Sequence, residues 1–145
     1  WVLIAMNHFW LALSISFNEE FNLGQNIMYL SGVVISAIVG IACLYLLDIK
    51  EKKIDLSQFR GHAYEHPVLA FVFLLSCLGI SGFPITPTFI GEDLIFSHIH
   101  ENRITLAFFT TISFIFGGLS TIRMYSRIFL GPHIKTYHEI AFKSS

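Results

Sequence analysis

The sequence predicts an all-α, polytopic membrane helix bundle of about four crossings, one of them a discontinuous helix. Three observations lead there. Apolar residues fill 54% of the 145 positions and charged residues only 13%, about half the charge of an ordinary soluble domain. The mean hydropathy is +0.64. The charges are also segregated, leaving uncharged stretches from Trp1 to Asn18, Phe21 to Leu47, His66 to Gly91 and Ile104 to Ile122. Each stretch can hold a helix of about 20 residues, the length that crosses a hydrocarbon core about 30 Å thick.

Taken in order, residues 1–17, 25–47 and 105–130 read as continuous helices. The chain opens on Trp1, already in apolar sequence, with neither the basic n-region nor the small-residue cleavage site of a signal peptide. It reads as a fragment whose parent continues upstream. The second stretch carries Gly32, Ser36 and Gly40, a small-xxx-small ladder on one helical face that lets a neighbouring helix come close. In the third stretch, Gly82, Pro84 and Pro87 fall near the middle. Proline removes a backbone donor and clashes with the preceding turn, so regular hydrogen bonding should fail around Gly82–Pro87. Backbone unwound at membrane depth is tolerated only against protein or a water-filled cavity, and transporters use such breaks to place polar groups on their pathway.

The break allows two topologies, and basic residues choose between them because Lys and Arg concentrate in cytoplasmic loops. Lys50, Lys52, Lys53 and Arg60 follow the second helix, while Arg123, Arg127, Lys135 and Lys143 close the chain. With one interrupted crossing from Pro67 to Ile99, all of these share a side and Arg103 alone lies opposite. Two separate crossings would split them. The interrupted crossing is therefore expected, with residues 48–65 and the C-terminus cytoplasmic, and with Asn18–Asn26 and His100–Arg103 outside.

Nine basic and ten acidic side chains nearly cancel, so there is no basic field to recruit nucleic acid and single charges matter by position. Glu92 and Asp93 follow the break with apolar sequence on both sides. A carboxylate at that depth is expensive to keep charged and points to an ion pathway, although a hydrated helix end near His98 and Glu101 would serve as well. His8, beside Asn7 in the first crossing, can donate an interhelical hydrogen bond or relay a proton. Arg123 and Arg127, four apart, read as interfacial anchors. Cys43 and Cys77 lie in apolar runs and read as small packing residues. His62-Ala-Tyr-Glu65-His66 matches the H-x-x-E-H pattern of one class of zinc peptidases. Pro67 disfavours helical geometry at His66, however, and the sequence supplies no evident third ligand, so no metal is expected. His98-Ile-His100 reads as part of a solvated connecting turn.

The run Asp55-Leu-Ser-Gln-Phe-Arg-Gly61, then Pro67 and a long apolar segment, then Gly79-Ile-Ser-Gly-Phe-Pro84, resembles the late portion of the antiporter-like, proton-conducting membrane subunits of respiratory complex I and of multisubunit cation/proton antiporters and membrane-bound hydrogenases. Thr88-Phe-Ile-Gly-Glu92-Asp93 resembles the version with glutamate where some members carry lysine, and Thr121-Ile-Arg-Met-Tyr-Ser-Arg-Ile-Phe-Leu-Gly-Pro132 resembles the Arg-Met-Tyr region that follows. The resemblance covers roughly residues 55–132, while the first two helices match the pattern poorly.

It implies that residues 1–145 are a C-terminal fragment of a proton-conducting transmembrane domain, with a glutamate–lysine pair lying upstream. It assigns the proton pathway to Glu92 and implies no cofactor of the chain's own, while Asp93 and His8 are further pathway candidates from their own positions. Other membrane subunits of a respiratory or antiporter complex become the partners, in a bacterial inner membrane or an energy-transducing organelle membrane. The leading reading is a non-redox, proton-translocating subunit of an NADH:quinone oxidoreductase-type complex. Alternatives are a subunit of a cation/proton antiporter, a membrane-bound hydrogenase or an inorganic-carbon uptake system, a non-catalytic assembly subunit, and a metal-dependent membrane enzyme using His62, Glu65 and His66.

Overall fold

The computed structural model describes residues 1–17, 22–51, 56–97 and 104–132. Expectations for Lys52, Lys53, Asp55, His98, His100, Glu101, Arg103, Lys135 and Lys143, and for the outer half of the first connection, lie outside the described residues. Five helices follow in order: α1 (Val2–Ile15), α2 (Leu23–Glu51), α3 (Pro67–Ile80), α4 (Pro87–Ser97) and α5 (Ile104–Phe129).

The long apolar stretches become α2 and α5, of 29 and 26 residues with mean hydropathy of 2.4 and 1.6 in their most apolar windows. These two have the length and composition to cross a membrane. The first helix stops earlier than its apolar sequence suggests, at 14 residues. Its C-terminal end is a tight turn in which Ser16 N–H reaches back to Ala12 and Leu13 and Phe17 N–H to Ser14.

The third stretch divides where its prolines and glycine dictate. Pro67 starts α3 at the first helical position, where its missing N–H has no intrahelical partner anyway. Gly82 ends it at φ +68°, with Phe83 N–H reaching back to Leu78 C=O at 3.0 Å, the six-to-one bond of a glycine-terminated helix. Thr86 then opens α4: its Oγ accepts from Phe89 N–H at 3.3 Å, and Pro87 takes the first helical position. Between the prolines, Ile85 has φ +87° and projects outward, a conformation that a β-branched residue holds only at a cost.

α2 is the central mast. At its C-terminal end Glu51 meets His66, before the start of α3. Midway, Ser76 Oγ donates to Ser36 C=O at 2.5 Å. Nearer its N-terminus, Gly32 lies against Thr88 and Gly91 lies against Tyr29. Both α3 and α4 thus run antiparallel along the same helix. The small-residue ladder is used throughout, but it seats three elements rather than one. A Cβ at Gly32 would overlap Thr88 of α4, Ser36 touches Gly79 and Ser76 of α3, and a Cβ at Gly40 would overlap the indole of Trp1.

Two packed clusters result. One joins Leu11, Ala12 and Ile15 of α1 to Tyr29 and Val33 of α2 and Ile95 of α4. The other joins Cys43 and Leu47 to Phe73, Cys77, Ile128 and Phe129. Cys43 and Cys77 are buried and unbridged within it, as packing residues.

Candidate functional site

The break and the helices beside it gather the polar groups of the membrane-spanning sequence. Glu92 sits on the second turn of α4 and is partly buried, whereas the adjacent Asp93 is exposed on another face. The Glu92 carboxylate folds back over Gly82, so closely that a Cβ there would overlap it. Glycine at this position thus serves twice, through its positive φ and through the space it leaves. Glu92 Oε1 is buried without a hydrogen-bond partner among the described residues, and so is the hydroxyl of Thr88. Thr88 and Glu92 stand four apart, on one face of α4.

Gly91, between Thr88 and Glu92 on the same helix, packs against the backbone of Tyr29, which is fully buried. The Tyr29 hydroxyl shares a 2.6 Å hydrogen bond with Nδ1 of His8, itself only 2% exposed. Phe114 of α5 packs on both rings at centroid distances of 6.3 and 6.2 Å. Beyond His8, the side chains of Asn7 and His8 face Gly117, and Ser113 Oγ donates to Asn7 Oδ1 at 3.0 Å. Asn7, Ser113, Gly117 and Ser120 line an open groove of about 490 Å³ between α1 and α5.

Of the residues the sequence singles out, His8 bonds to Tyr29, which packs on Gly91 next to Glu92, while Asp93 is exposed. Tyr29 escapes sequence reasoning because an aromatic in an apolar run reads as packing. Its one signal is position, three residues before Gly32 on the face of the small-residue ladder.

At the other end of α2 the loop before α3 is tied to the end of α5. The N–H groups of Arg60, Gly61, His62 and Ala63 donate to the carbonyls of Arg127, Leu130, Ile128 and Phe129 at 3.1–3.3 Å. Arg127 reaches back to Ser57 C=O at 3.1 Å, and its guanidinium lies 4.5 Å from the Phe59 ring centroid. It anchors this loop, whereas Arg123 is exposed. His66 has φ −129° and ψ 60°, outside helical geometry as Pro67 requires. Even so, His62 and His66 share a side: their rings lie 3.9 and 2.9 Å from the Glu51 carboxylate.

Two helices of membrane-crossing length and many exposed apolar side chains, together with a match to a transmembrane family, mark an integral membrane protein of the all-helical kind. The chain belongs to the family described as NADH:quinone oxidoreductase/Mrp antiporter, transmembrane, whose profile matches residues 5–118. The match takes in α1 and α2, which the motif resemblance over residues 55–132 leaves out, and it stops short of Arg123-Met-Tyr.

Among relatives, NADH-ubiquinone oxidoreductase chain 4 of Dictyostelium discoideum is 41% identical over 87 residues, covering 60% of this chain and 16% of that protein. NADH-quinone oxidoreductase subunit M of Rickettsia felis is 30% identical over 116 residues, covering 80% and 23%. Chain 4 of Dictyostelium citrinum is 33% identical over 94 residues, covering 65% and 23%. The chain thus spans less than a quarter of the length of these relatives. No solved structure matches significantly.

Proposed function

We propose that this chain forms part of a proton-translocating membrane subunit of an NADH:quinone oxidoreductase-type complex, working beside other membrane subunits and holding no cofactor of its own. The names carried by its relatives, chain 4 and subunit M, favour this reading over a free-standing cation/proton antiporter. In this reading α3, the break and α4 form one interrupted crossing. Their unidirectional run along α2 supports it, since two separate crossings would have to reverse direction at Pro84–Pro87.

The observation that carries the reading is a half-buried Glu92 carboxylate with an unpartnered oxygen, folded over Gly82 at a helix break, one residue from the Gly91 that packs on Tyr29, the partner of His8. A carboxylate there exchanges a proton with water or with a neighbouring basic group entering through the break. The Thr88 hydroxyl and Glu92 Oε1 offer such water its partners, and the Tyr29–His8 pair links the site to the groove of Asn7, Ser113 and Ser120.

Glu92→Gln keeps the shape and hydrogen-bonding capacity of the side chain but cannot exchange a proton. Proton uptake into vesicles, normalised to the amount of assembled complex, should be abolished or strongly lowered in this variant. Wild-type pumping by Glu92→Gln would remove the residue from the pathway.

A further inference from the structure

A second titratable cluster lies far from the break, at the opposite end of α2. Glu51, His62 and Glu65 each offer one ligand-type atom, and all three atoms lie within 4.8 Å of one another. His66 Nε2 stands 2.9 Å from the same Glu51 carboxylate. We propose that Glu51, His62 and Glu65, with His66 or water completing the set, form a zinc-class divalent-cation site that staples the end of α2 to the loop leading into α3.

The donor chemistry selects the ion class. Imidazole nitrogen and carboxylate oxygen together suit zinc, whereas magnesium and calcium take all-oxygen sets. Zinc sits about 2.0–2.2 Å from such ligands, so donors in a tetrahedron lie about 3.4 Å apart. Closing the observed spread takes a swing of Glu65, which is exposed, and about half an ångström between His62 Nδ1 and the Glu51 carboxylate, now 3.9 Å apart. Glu51 is carried on the last residue of α2, with its side chain 5% exposed. His62 is buried and fixed by its loop's hydrogen bonds to Ile128 and Phe129 at the end of α5. The His66 N–H bond to His62 C=O, at 2.9 Å, keeps both rings on one turn despite Pro67. The H-x-x-E-H motif lacked a third ligand in the sequence, and the chain reversal between α2 and α3 supplies it as Glu51.

The proposal does not depend on Glu92, and its test reads metal rather than transport. The assembled complex, stripped with chelator and dialysed, is titrated with ZnCl₂ against a competing fluorescent indicator, and its thermal unfolding is followed with and without zinc. Wild type should bind one more zinc per copy than His62→Gln and should be stabilised by it, as a ligand of the native state must be. Glu65→Gln, a surface change that leaves Glu51 and the loop in place, should weaken the same equivalent and shrink the thermal shift. Substituted Co²⁺ should show visible absorption bands of a low-coordinate nitrogen–oxygen site. Equal zinc stoichiometry and equal thermal shifts in wild type, His62→Gln and Glu65→Gln would overturn the proposal, as would magnesium binding there as tightly as zinc.

Discussion

Adjacent residues on a helix point about 100° apart, and in α4 that angle separates two carboxylates that the sequence presents as a pair. Glu92 turns back over Gly82, while Asp93 is exposed. Asp93→Asn should therefore lower proton uptake less than Glu92→Gln does, and a larger loss in Asp93→Asn would identify the wrong carboxylate here. Tyr29 gives a second test. Tyr29→Phe keeps the ring that packs on Phe114 but deletes the hydroxyl bonded to His8. If the hydroxyl passes protons between Glu92 and His8, uptake per assembled complex should fall while the amount of complex stays at the wild-type level. Undiminished uptake would make the Tyr29–His8 bond a packing contact only. His8 and Glu92 stand out in the sequence as candidates because an ionisable group in an apolar run is costly to keep there. Tyr29 and Glu51 were not, since what they do depends on which helix turns back against them.

At the scale of the elements, local punctuation was readable and partnership was not. Gly82, Pro84 and Pro87 announce the end of one helix and the start of the next because each acts through its own backbone. The ladder of Gly32, Ser36 and Gly40 announces close approach, yet nothing in it says that α4, α3 and Trp1 would each take one rung. The opposite side of the α2–α4 contact depends on Gly91, where a Cβ would overlap the backbone of Tyr29. Helices in lipid associate through packing and small-residue contacts more than through the hydrophobic effect, so such an overlap pushes them apart directly. Gly91→Ala should lower both the thermal stability of the purified complex and its proton uptake, since moving α4 moves Glu92. Gly118→Ala is the matched control, because a Cβ there meets nothing within 4 Å. Equal behaviour of the two variants in a thermal-shift measurement would mean that α4 does not rely on this approach.

For the whole molecule, α2 sets the scale: at about 1.5 Å per residue its 29 residues run about 43 Å, the thickness of a bilayer with its headgroups. Its C-terminal end holds Lys50 and Glu51, the loop before α3 and, through backbone hydrogen bonds, the end of α5 with Arg127. The break and the Glu92 face lie toward its other half, against Tyr29 and Gly32. In the proposed topology one interrupted crossing would keep the basic residues of both ends together, and the positive-inside bias would place that end on the cytoplasmic side, or its equivalent in an organelle. Single cysteines introduced at Tyr64 and Leu130, both exposed in this fold, should react with a membrane-impermeant maleimide from that one side only. Within these 145 residues the two native cysteines, Cys43 and Cys77, are buried and add little background. Labelling of the two positions from opposite sides would separate the loop from the end of α5. It would then force α3 and α4 to be two crossings, and Glu92 could no longer occupy the middle of a single path. Labelling of both from the outer side would keep the interrupted crossing but invert it, leaving the proton route intact with its direction reversed.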